Sequence, residues 1–286
     1  MPDVQQLYNS LESCAICPRE CGVNRFAGET GICGMDSKLS ISSYGPHYGE
    51  EPEIVGHTAS GTVFLTGCSL LCNFCQNYDI SHLRHGRRTS EAELTGIMLA
   101  LQDAGCSNIN FVTPSHYSPQ LIRAVINARS QGLNIPIVYN SGGYDKTATL
   151  KYWEGIADIY MPDIKFHSRE LSARYAGAPD YFEVAASALL EMHRQAGDLI
   201  VENGTAKRGL LVRHLVMPGC TEDSKKIIDF IAENIGANTR LNIMEQYRPC
   251  YGAGSTPEIN RTINMEEYRE VVEYAESLGV YLTNYK

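Results

Sequence analysis

Short apolar or β-branched runs alternate with longer amphipathic stretches from residue 61 onward. Runs of this length, bounded by glycine, proline and small polar residues, are typical of buried strands, and the stretches between them are long enough for helices. We therefore predict six strands, each followed by a helix, at 62–66, 108–113, 135–139, 157–161, 209–216 and 239–245.

Three of the predicted helices carry start signals. Ser90 and Glu93 form a capping-box pattern at the start of a helix that ends near Gly105. Ser118-Pro119 places proline at a first helical position, and Asn264 with Glu267 repeats the capping-box spacing. These signals support a helix after each predicted strand.

Alternating strands and helices predict a parallel sheet with right-handed crossovers. Six such units at this spacing favour an α/β fold of the partial TIM type, a (β/α)6 barrel, with a doubly wound open sheet as the alternative. Unusual polar or glycine-rich loops follow the strands directly, which favours the barrel, because they would all line one rim. These loops are 67–68, 113–116, 140–144, 162–165, 218–220 and 246–250.

Three cysteines lie within eight residues after the first predicted strand, at Cys68, Cys72 and Cys75. Three thiolates can each bind one iron of a 4Fe-4S cubane and leave the fourth iron open to another ligand. The alternatives are a zinc site completed by His82 or His85, or thiols that simply lie in a turn.

A second cysteine group lies near the N-terminus, at Cys14, Cys17, Cys21 and Cys33. Four thiolates saturate a metal centre, and either zinc or a second 4Fe-4S cluster suits them. We predict a Cys-rich metal-binding segment over residues 1–55, too small for a core of its own, and a barrel over residues 56–286.

Charge and composition limit the partners and the cellular location that we expect for this protein. The formal net charge is -9, and the one basic cluster lies at 82–88, so a nucleic-acid partner is not expected. The N-terminus lacks the features of a signal peptide, and no apolar run approaches the roughly 18 residues that cross a bilayer. We expect a cytoplasmic protein without a membrane partner, whose ten cysteines do not form structural disulfides and for which metal binding or catalysis is the default role of a cysteine group.

The spacing C-x3-C-x-aromatic-C, present as Cys68, Cys72, Phe74 and Cys75, resembles the signature of the radical S-adenosylmethionine superfamily. Across nearly the whole chain the sequence is similar to PflX-like proteins, which are related to pyruvate formate-lyase activating enzyme. The matching stretches are CPRECGVNRFAGETGICG, HYGEEP, SGTVFLTGCSLLCNFCQNYDIS, IPIVYNSGGY, DIYMPDIKF, RGLLVRHLVMPG and EQYRPCYGA.

This resemblance implies a 4Fe-4S cluster that binds S-adenosylmethionine at its open iron and, once reduced, cleaves it to a 5'-deoxyadenosyl radical. That radical would abstract hydrogen from an unidentified substrate, and the candidates are a glycyl-radical enzyme, another protein or peptide, and a small molecule. It also implies an electron donor such as flavodoxin or ferredoxin. The other function classes considered are an iron-sulfur electron carrier or redox sensor and a zinc-stabilised binding module.

The resemblance also assigns cofactor-binding residues. A D-x-K element matches Asp163 and Lys165, and a strand arginine matches Arg213, although a structural ion pair would explain the same residues. Asn140 and Ser141 belong to a glycine-rich turn suited to close approach of the cofactor, and Phe74 accompanies the triplet.

The sequence departs from the family pattern at two places. Thr113-Pro114-Ser115-His116 replaces the Gly-Gly-Glu element, so Thr113 and Ser115 become further candidates for hydrogen bonds to the cofactor, and His116, expected to be an exposed loop residue, could add one. No ferredoxin-like insert follows the triplet, so auxiliary ligands must come from elsewhere. Candidates for a role in catalysis are Cys220, Cys250 and His116, with plain buried thiols as the alternative for the cysteines.

Overall fold

The structure is a computed structural model that describes residues 3–283. Within them the strands are β1 (Ser40–His47), β2 (Ser60–Leu65), β3 (Arg87–Arg88), β4 (Ile109–Val112), β5 (Ile137–Ser141), β6 (Ile159–Pro162), β7 (Ile200–Glu202), β8 (Thr205–Leu215) and β9 (Arg240–Met244). The helices are α1 (Val4–Asn9), α2 (Pro52–Val55), α3 (Tyr78–Ser81), α4 (Glu91–Asp103), α5 (Ser118–Ser130), α6 (Thr147–Leu150), α7 (Arg169–Ala176), α8 (Tyr181–Ala196), α9 (Thr221–Asn234) and α10 (Met265–Ser277).

Six of these strands form a parallel series in the order β2-β4-β5-β6-β8-β9. They are the six strands predicted from the sequence, with ends that differ by a few residues. Antiparallel β1 and β3 extend the β2 side, and antiparallel β7 adds to β8. In residues 3–283 no pairing joins β9 to the β1–β3 edge, so the barrel is open on one side. The predicted partial (β/α)6 barrel is confirmed.

The parallel strands are buried on both faces, as expected of a sheet covered by helices. Side chains on one face, such as Phe111, Tyr139 and Val212, join the main core cluster with the surrounding helices. Those on the other face point into the barrel, where Val138 and Met161 pack with Ile54. The predicted helix starts are also confirmed: Ser90 and Asn264 close capping boxes, and α5 has proline in its first turn.

The segment that contains α2 closes one end of the barrel. Ile54 is fully buried, and Asn108, at the start of β4, donates from Nδ2 to the Ile54 carbonyl at 2.7 Å. Ser107 donates to the Val55 carbonyl at 3.0 Å. Because parallel strands begin at this end, the opposite end, where their carboxyl ends meet, is left for the functional site.

The N-terminal segment packs on the outside of the barrel. Leu7, Leu11, Ile16 and Met35 share one hydrophobic cluster with the barrel helices. The sequence did not predict β1, which lies within residues 1–55 and pairs with β2, so the sheet runs across residue 55. No helix in residues 3–283 is both long enough and apolar enough to cross a membrane.

Candidate active site

A cavity of about 270 Å³ opens at the carboxyl ends of the parallel strands. Loops that follow β2, β4, β5, β6, β8 and β9 contribute to it, as predicted for a barrel site. The sequence-predicted residues in its wall are Cys68, Cys72, Phe74, Cys75, Thr113, Asn140, Ser141, Asp163, Lys165 and Arg213. The structure therefore brings the cysteine triplet and the charged residues to one place.

The cysteine loop leaves β2 at Gly67, whose φ of +85° suits glycine. Its backbone is held by α7, because Leu71 N–H donates to the Ala176 carbonyl at 3.2 Å and Asn73 N–H to the Tyr175 carbonyl at 2.8 Å. Cys72 is buried, whereas Cys68 and Cys75 are partly exposed. The three sulfurs are thus presented by an anchored loop to the same cavity.

One feature of the loop suits metal thiolates, and another opposes their formation. The Leu70 N–H donates to the Cys68 sulfur at 3.4 Å, and hydrogen bonds of this kind tune iron-sulfur centres. Burial raises the pKa of the Cys72 thiol to about 12, although the positive charge of Lys165 opposes that rise. A metal that binds here must therefore displace protons from the thiols. Phe74 is buried against Phe166 and Tyr247 and fixes the floor of the loop.

Asp163 lies between two cations at the mouth of the barrel. Its carboxylate is 2.5 Å from Lys165 Nζ, and Arg213 donates to it at 2.8 Å. Burial raises the pKa of Asp163, but Arg213 and Lys165 outweigh burial and hold that pKa below its usual value. Burial alone would lower the pKa of Lys165, yet Asp163 raises it. All three groups therefore carry charge in the neutral range.

Arg213 also reaches residues on the barrel floor. It donates to the Asn140 amide oxygen at 2.7 Å, and its Nη1 lies 3.7 Å from Glu50 and 3.8 Å from Glu51. Burial raises the pKa of Glu50, which Arg213 partly offsets. Arg213 thus has the anionic partners that a guanidinium inside a barrel needs. His47, the last residue of β1, instead stacks edge-on against Phe64 and does not line the cavity.

The loop after β4 corrects one prediction. His116 is buried rather than exposed, because the N-terminal segment covers it and its Nε2–H donates to the Thr66 carbonyl at 2.8 Å. Burial lowers the pKa of His116 to about 3. Ser115 is also buried and donates to Asp145 at 2.5 Å, away from the cavity wall. From this loop it is Thr113, with a φ of +62°, that reaches the cavity.

The loop after β5 forms another part of the wall. Ser141 lines the cavity but donates its hydroxyl hydrogen to Asp145 at 2.6 Å. Gly143 has a φ of +77° and lies so close to the Asp163 carbonyl that a methyl group would overlap it. Glycine is therefore required where the loops after β5 and β6 meet.

Tyr181, at the start of α8, braces these two loops, and no local sequence pattern predicts this role. Its hydroxyl lies 2.8 Å from the Gly142 carbonyl and 3.1 Å from the Asp163 carbonyl, and it accepts from the Lys165 N–H at 3.0 Å. The position of Lys165 is thus tied to that of the glycine-rich turn.

The two single cysteines proposed for catalysis do not line the cavity. Cys220 is buried among aromatic side chains, and its sulfur lies 3.5 Å from the Pro218 carbonyl. Burial raises the pKa of Cys220 to about 11. Cys250 is half-buried and also lies outside the cavity wall. The geometry gives neither of them a contact with the cavity.

The N-terminal cysteines form a second group beside the barrel mouth. Cys14, Cys17 and Cys33 are buried, and Cys21 is partly exposed. Among residues 3–283, no three His, Cys, Asp or Glu side chains are gathered as ligands of a single metal ion. This holds for both cysteine groups.

Comparisons with known proteins show which proteins this chain is similar to. No family model matches it. It is 32% identical over 288 residues to the protein called Uncharacterized protein MJ0674 of Methanocaldococcus jannaschii, a match that spans 97% of this chain and 78% of that protein.

Two solved structures share the fold. HydG, a maturase of FeFe-hydrogenase, superposes with a TM-score of 0.53 at 12% identity, over 80% of this chain and 53% of HydG. Streptococcus suis SuiB bound to S-adenosylmethionine gives 0.50 at 14% identity, over 75% of this chain and 47% of SuiB. The chain spans about half the length of these two structures. It belongs to the same protein family as the Methanocaldococcus jannaschii protein, and its partial barrel is the fold that it shares with HydG and SuiB.

Proposed function

We propose that this protein is a radical S-adenosylmethionine enzyme in which Cys68, Cys72 and Cys75 hold a 4Fe-4S cluster and the adjoining cavity binds S-adenosylmethionine. Such a cluster, when reduced, supplies the electron that converts the bound cofactor into methionine and a hydrogen-abstracting 5'-deoxyadenosyl radical. The protein then serves to bind, orient and shield the reactants.

The observation that carries this proposal is the shared cavity wall of the three cysteines and the Asp163, Lys165 and Arg213 charges. The methionine part of the cofactor carries an ammonium group and a carboxylate. A carboxylate suits the guanidinium or the ammonium of the protein, and an ammonium suits Asp163. The protein groups are already charged and ordered by one another, which lowers the cost of arranging them when the ligand binds.

The cavity is also suited to protecting a radical. Apolar side chains surround the polar groups: Leu65, Leu70, Phe74, Ile80, Val112, Leu215 and Met244. Such a lining keeps water and competing polar groups from the reacting centre. A volume of about 270 Å³ lies near the lower bound for ligand pockets, so we place the substrate at the rim, whether it is a protein segment, a peptide or a small molecule.

The deciding experiment is cleavage of S-adenosylmethionine by anaerobically reconstituted protein under reduction. We expect 5'-deoxyadenosine from the parent chain and none from a variant with Cys68, Cys72 and Cys75 all changed to alanine. Cys106→Ala is the matched control, because Cys106 is buried but lies outside the cavity wall.

Equal cleavage by the triple variant and the parent would disprove the cluster assignment. Absence of cleavage by a parent chain that holds its cluster would favour an electron carrier or redox sensor instead. Candidate substrates are then compared by transfer of deuterium from the labelled compound into 5'-deoxyadenosine, which identifies the carbon that loses hydrogen.

A further inference from the structure

Residues beside the N-terminal cysteines touch the backbone beside the barrel cysteines. A methyl group added to Gly67 would lie 2.7 Å from the Cys33 carbonyl oxygen. Arg19 donates from Nε to the Ser69 carbonyl at 2.8 Å. Since consecutive Cα atoms are about 3.8 Å apart, the Cα atoms of Cys33 and Cys68 are separated by no more than about 10 Å.

A buried cation marks the N-terminal cysteines as an anionic site. Arg25 is 1% exposed, and within residues 3–283 no carboxylate forms an ion pair with it. Its guanidinium donates to the Asp36 and His116 carbonyls, and Nη1 lies 3.9 Å from the Cys14 sulfur. A buried guanidinium without a carboxylate needs other negative charge nearby. Thiolates that hold a metal centre would supply it.

The four N-terminal thiols lie close enough together to act on one another electrostatically, as ligands of one metal centre must. Zinc draws its thiolates to about 2.3 Å from one point. A cubane gives each thiolate its own iron and so spreads the sulfurs apart. Hydrogen bonds from backbone N–H groups to the sulfurs are a feature of iron-sulfur centres, and each cysteine group has one. The Ile32 N–H donates to the Cys21 sulfur at 3.4 Å, which parallels the N–H to sulfur contact at Cys68.

We infer that Cys14, Cys17, Cys21 and Cys33 hold a second 4Fe-4S cluster, which passes electrons to the cluster of the proposed enzyme at Cys68, Cys72 and Cys75. The inference rests on the proposed function for its electron acceptor. One electron leaves a reduced flavodoxin-type or ferredoxin-type donor, reduces the N-terminal cluster, and moves on as that cluster is oxidised again. No bond forms or breaks in this step.

The relay explains how electrons reach the cluster at the barrel cysteines while cofactor and substrate occupy the barrel mouth. Cofactor and substrate cover the barrel cysteines from the cavity side, whereas Cys21 is partly exposed and Ile32 beside it is 42% exposed. A donor can therefore approach the N-terminal site from solvent. The competing route runs through exposed Tyr78 and Tyr251, which stack beside the barrel loop with ring centroids 5.6 Å apart.

The metal is identified in the Cys68, Cys72 and Cys75 triple alanine variant, which leaves only the N-terminal ligands. After anaerobic reconstitution in the presence of both iron and zinc we expect four irons and four sulfides per chain, and an electron paramagnetic resonance signal on reduction. One zinc per chain, or no metal, would overturn the inference.

Arg25→Gln in this background should move the midpoint potential of the cluster to more negative values, because a buried positive charge is lost. An unmoved potential would contradict the anionic site.

The relay is tested by stopped-flow reduction with reduced flavodoxin. In Cys21→Ala we expect the barrel cluster to be reduced at least tenfold more slowly, with S-adenosylmethionine affinity unchanged and with Cys106→Ala equal to the parent. An unchanged rate would overturn the relay and favour the Tyr78 and Tyr251 route. If Cys21→Ala fails to retain the barrel cluster, the rate is read in Arg25→Gln, where an altered rate supports the relay and an unchanged rate opposes it.

These outcomes separate the inference from the proposed function. A chain that cleaves S-adenosylmethionine but holds zinc at the N-terminal cysteines keeps the function and loses the inference. A chain whose triple variant holds four irons, but whose parent cleaves no cofactor, keeps the second cluster and loses the function.

Discussion

Arg213 shows how one side chain can organise the barrel mouth. It links Asp163 and Asn140 above to Glu50 and Glu51 below, so it lies between the cavity and the barrel floor. Glu51 is held in turn by Asn242, which donates to it at 2.9 Å. A cofactor carboxylate that binds near Arg213 would join a network of charges that already act on one another, and this makes the affinity sensitive to any one member.

We predict that Asp163→Asn and Arg213→Met each weaken S-adenosylmethionine binding about 10- to 150-fold, because loss of a charged hydrogen bond costs about 1.5 to 3 kcal/mol. Iron content should stay level, since neither residue is a ligand. Binding is measured by titration calorimetry on reconstituted protein. Asp158→Asn is the control, because Asp158 pairs with Arg129 outside the cavity. Unchanged affinity in both test variants would reduce their role to structural ion pairing.

Thr113 is a second informative residue. A β-branched side chain at a φ of +62° is a genuine outlier, and such conformations cost of order 1–3 kcal/mol. The Thr113 N–H donates to the Asn140 carbonyl at 2.8 Å, which ties the strained residue to the adjacent loop. Strain at a cavity wall supports a binding role for Thr113. This residue lies where the family pattern has the Gly-Gly-Glu element.

We expect Thr113→Gly to leave the free energy of unfolding unchanged or higher, because relief of strain offsets the backbone entropy cost of glycine, roughly 0.5–1 kcal/mol. Cofactor affinity should fall, since the wall loses a side chain. Urea unfolding and calorimetry measure the two effects. A marked loss of stability with full affinity would show that Thr113 serves the fold alone.

At the scale of elements, helix α8 positions the site. No residue of α8 was among the site residues predicted from the sequence. Its first residue, Tyr181, binds backbone atoms of the loops after β5 and β6. The aromatic ring is fully buried, which fixes the hydroxyl. Distant elements can therefore determine how precisely the charged groups meet the cofactor.

Tyr181→Phe should lower the free energy of unfolding by about 1–3 kcal/mol, because buried backbone groups lose a partner. We also expect weaker S-adenosylmethionine binding, since Lys165 and Gly142 lose their common anchor. Tyr160→Phe is the matched control: Tyr160 is equally buried, but its hydroxyl binds Gln195 outside the cavity. Similar stability losses with an affinity loss in Tyr181→Phe alone would support the brace, and equal affinities would contradict it.

The elements that could be predicted from sequence are those with a local signal. Parallel strands are buried on both faces, so β4 and β5 are nearly continuous apolar runs. In contrast, β1 contains exposed polar residues and a proline, and only its pairing with β2 makes it a strand. The cysteine triplet and Asp163 were predicted by spacing and resemblance. Tyr181 and the burial of His116 depend on segments far apart in the chain, so no local pattern reports them.

At the scale of the whole molecule, the N-terminal segment covers part of the barrel mouth. Arg25 donates to the His116 carbonyl, and Gln120 donates to the Ser37 carbonyl at 2.7 Å. These contacts bury the loop after β4 beneath the segment. Stability of the segment and of the barrel mouth is therefore coupled, with the buried His116 at the junction.

The pH dependence of stability should report this burial. The folded pKa of His116 is about 3, below the unfolded value of about 6.5, so the folded state keeps it neutral while the unfolded state takes up a proton as the pH falls. The stabilisation is complete above pH 6.5, and at pH 5.5 about 1.4 kcal/mol of it is lost. Burial also lowers the pKa of His214, which acts in the same direction.

We therefore predict that the urea midpoint of the parent chain falls between pH 7 and pH 5.5 and that His116→Gln reduces this fall, because the variant no longer takes up that proton on unfolding. His116→Gln lowers stability at pH 7, so the slope against pH is the quantity compared. His57→Gln, at an exposed position, is the control and should keep the parental slope. If His116→Gln also kept the parental slope, His116 would not be buried and neutral, and the coverage of the barrel mouth by the N-terminal segment would be disproved.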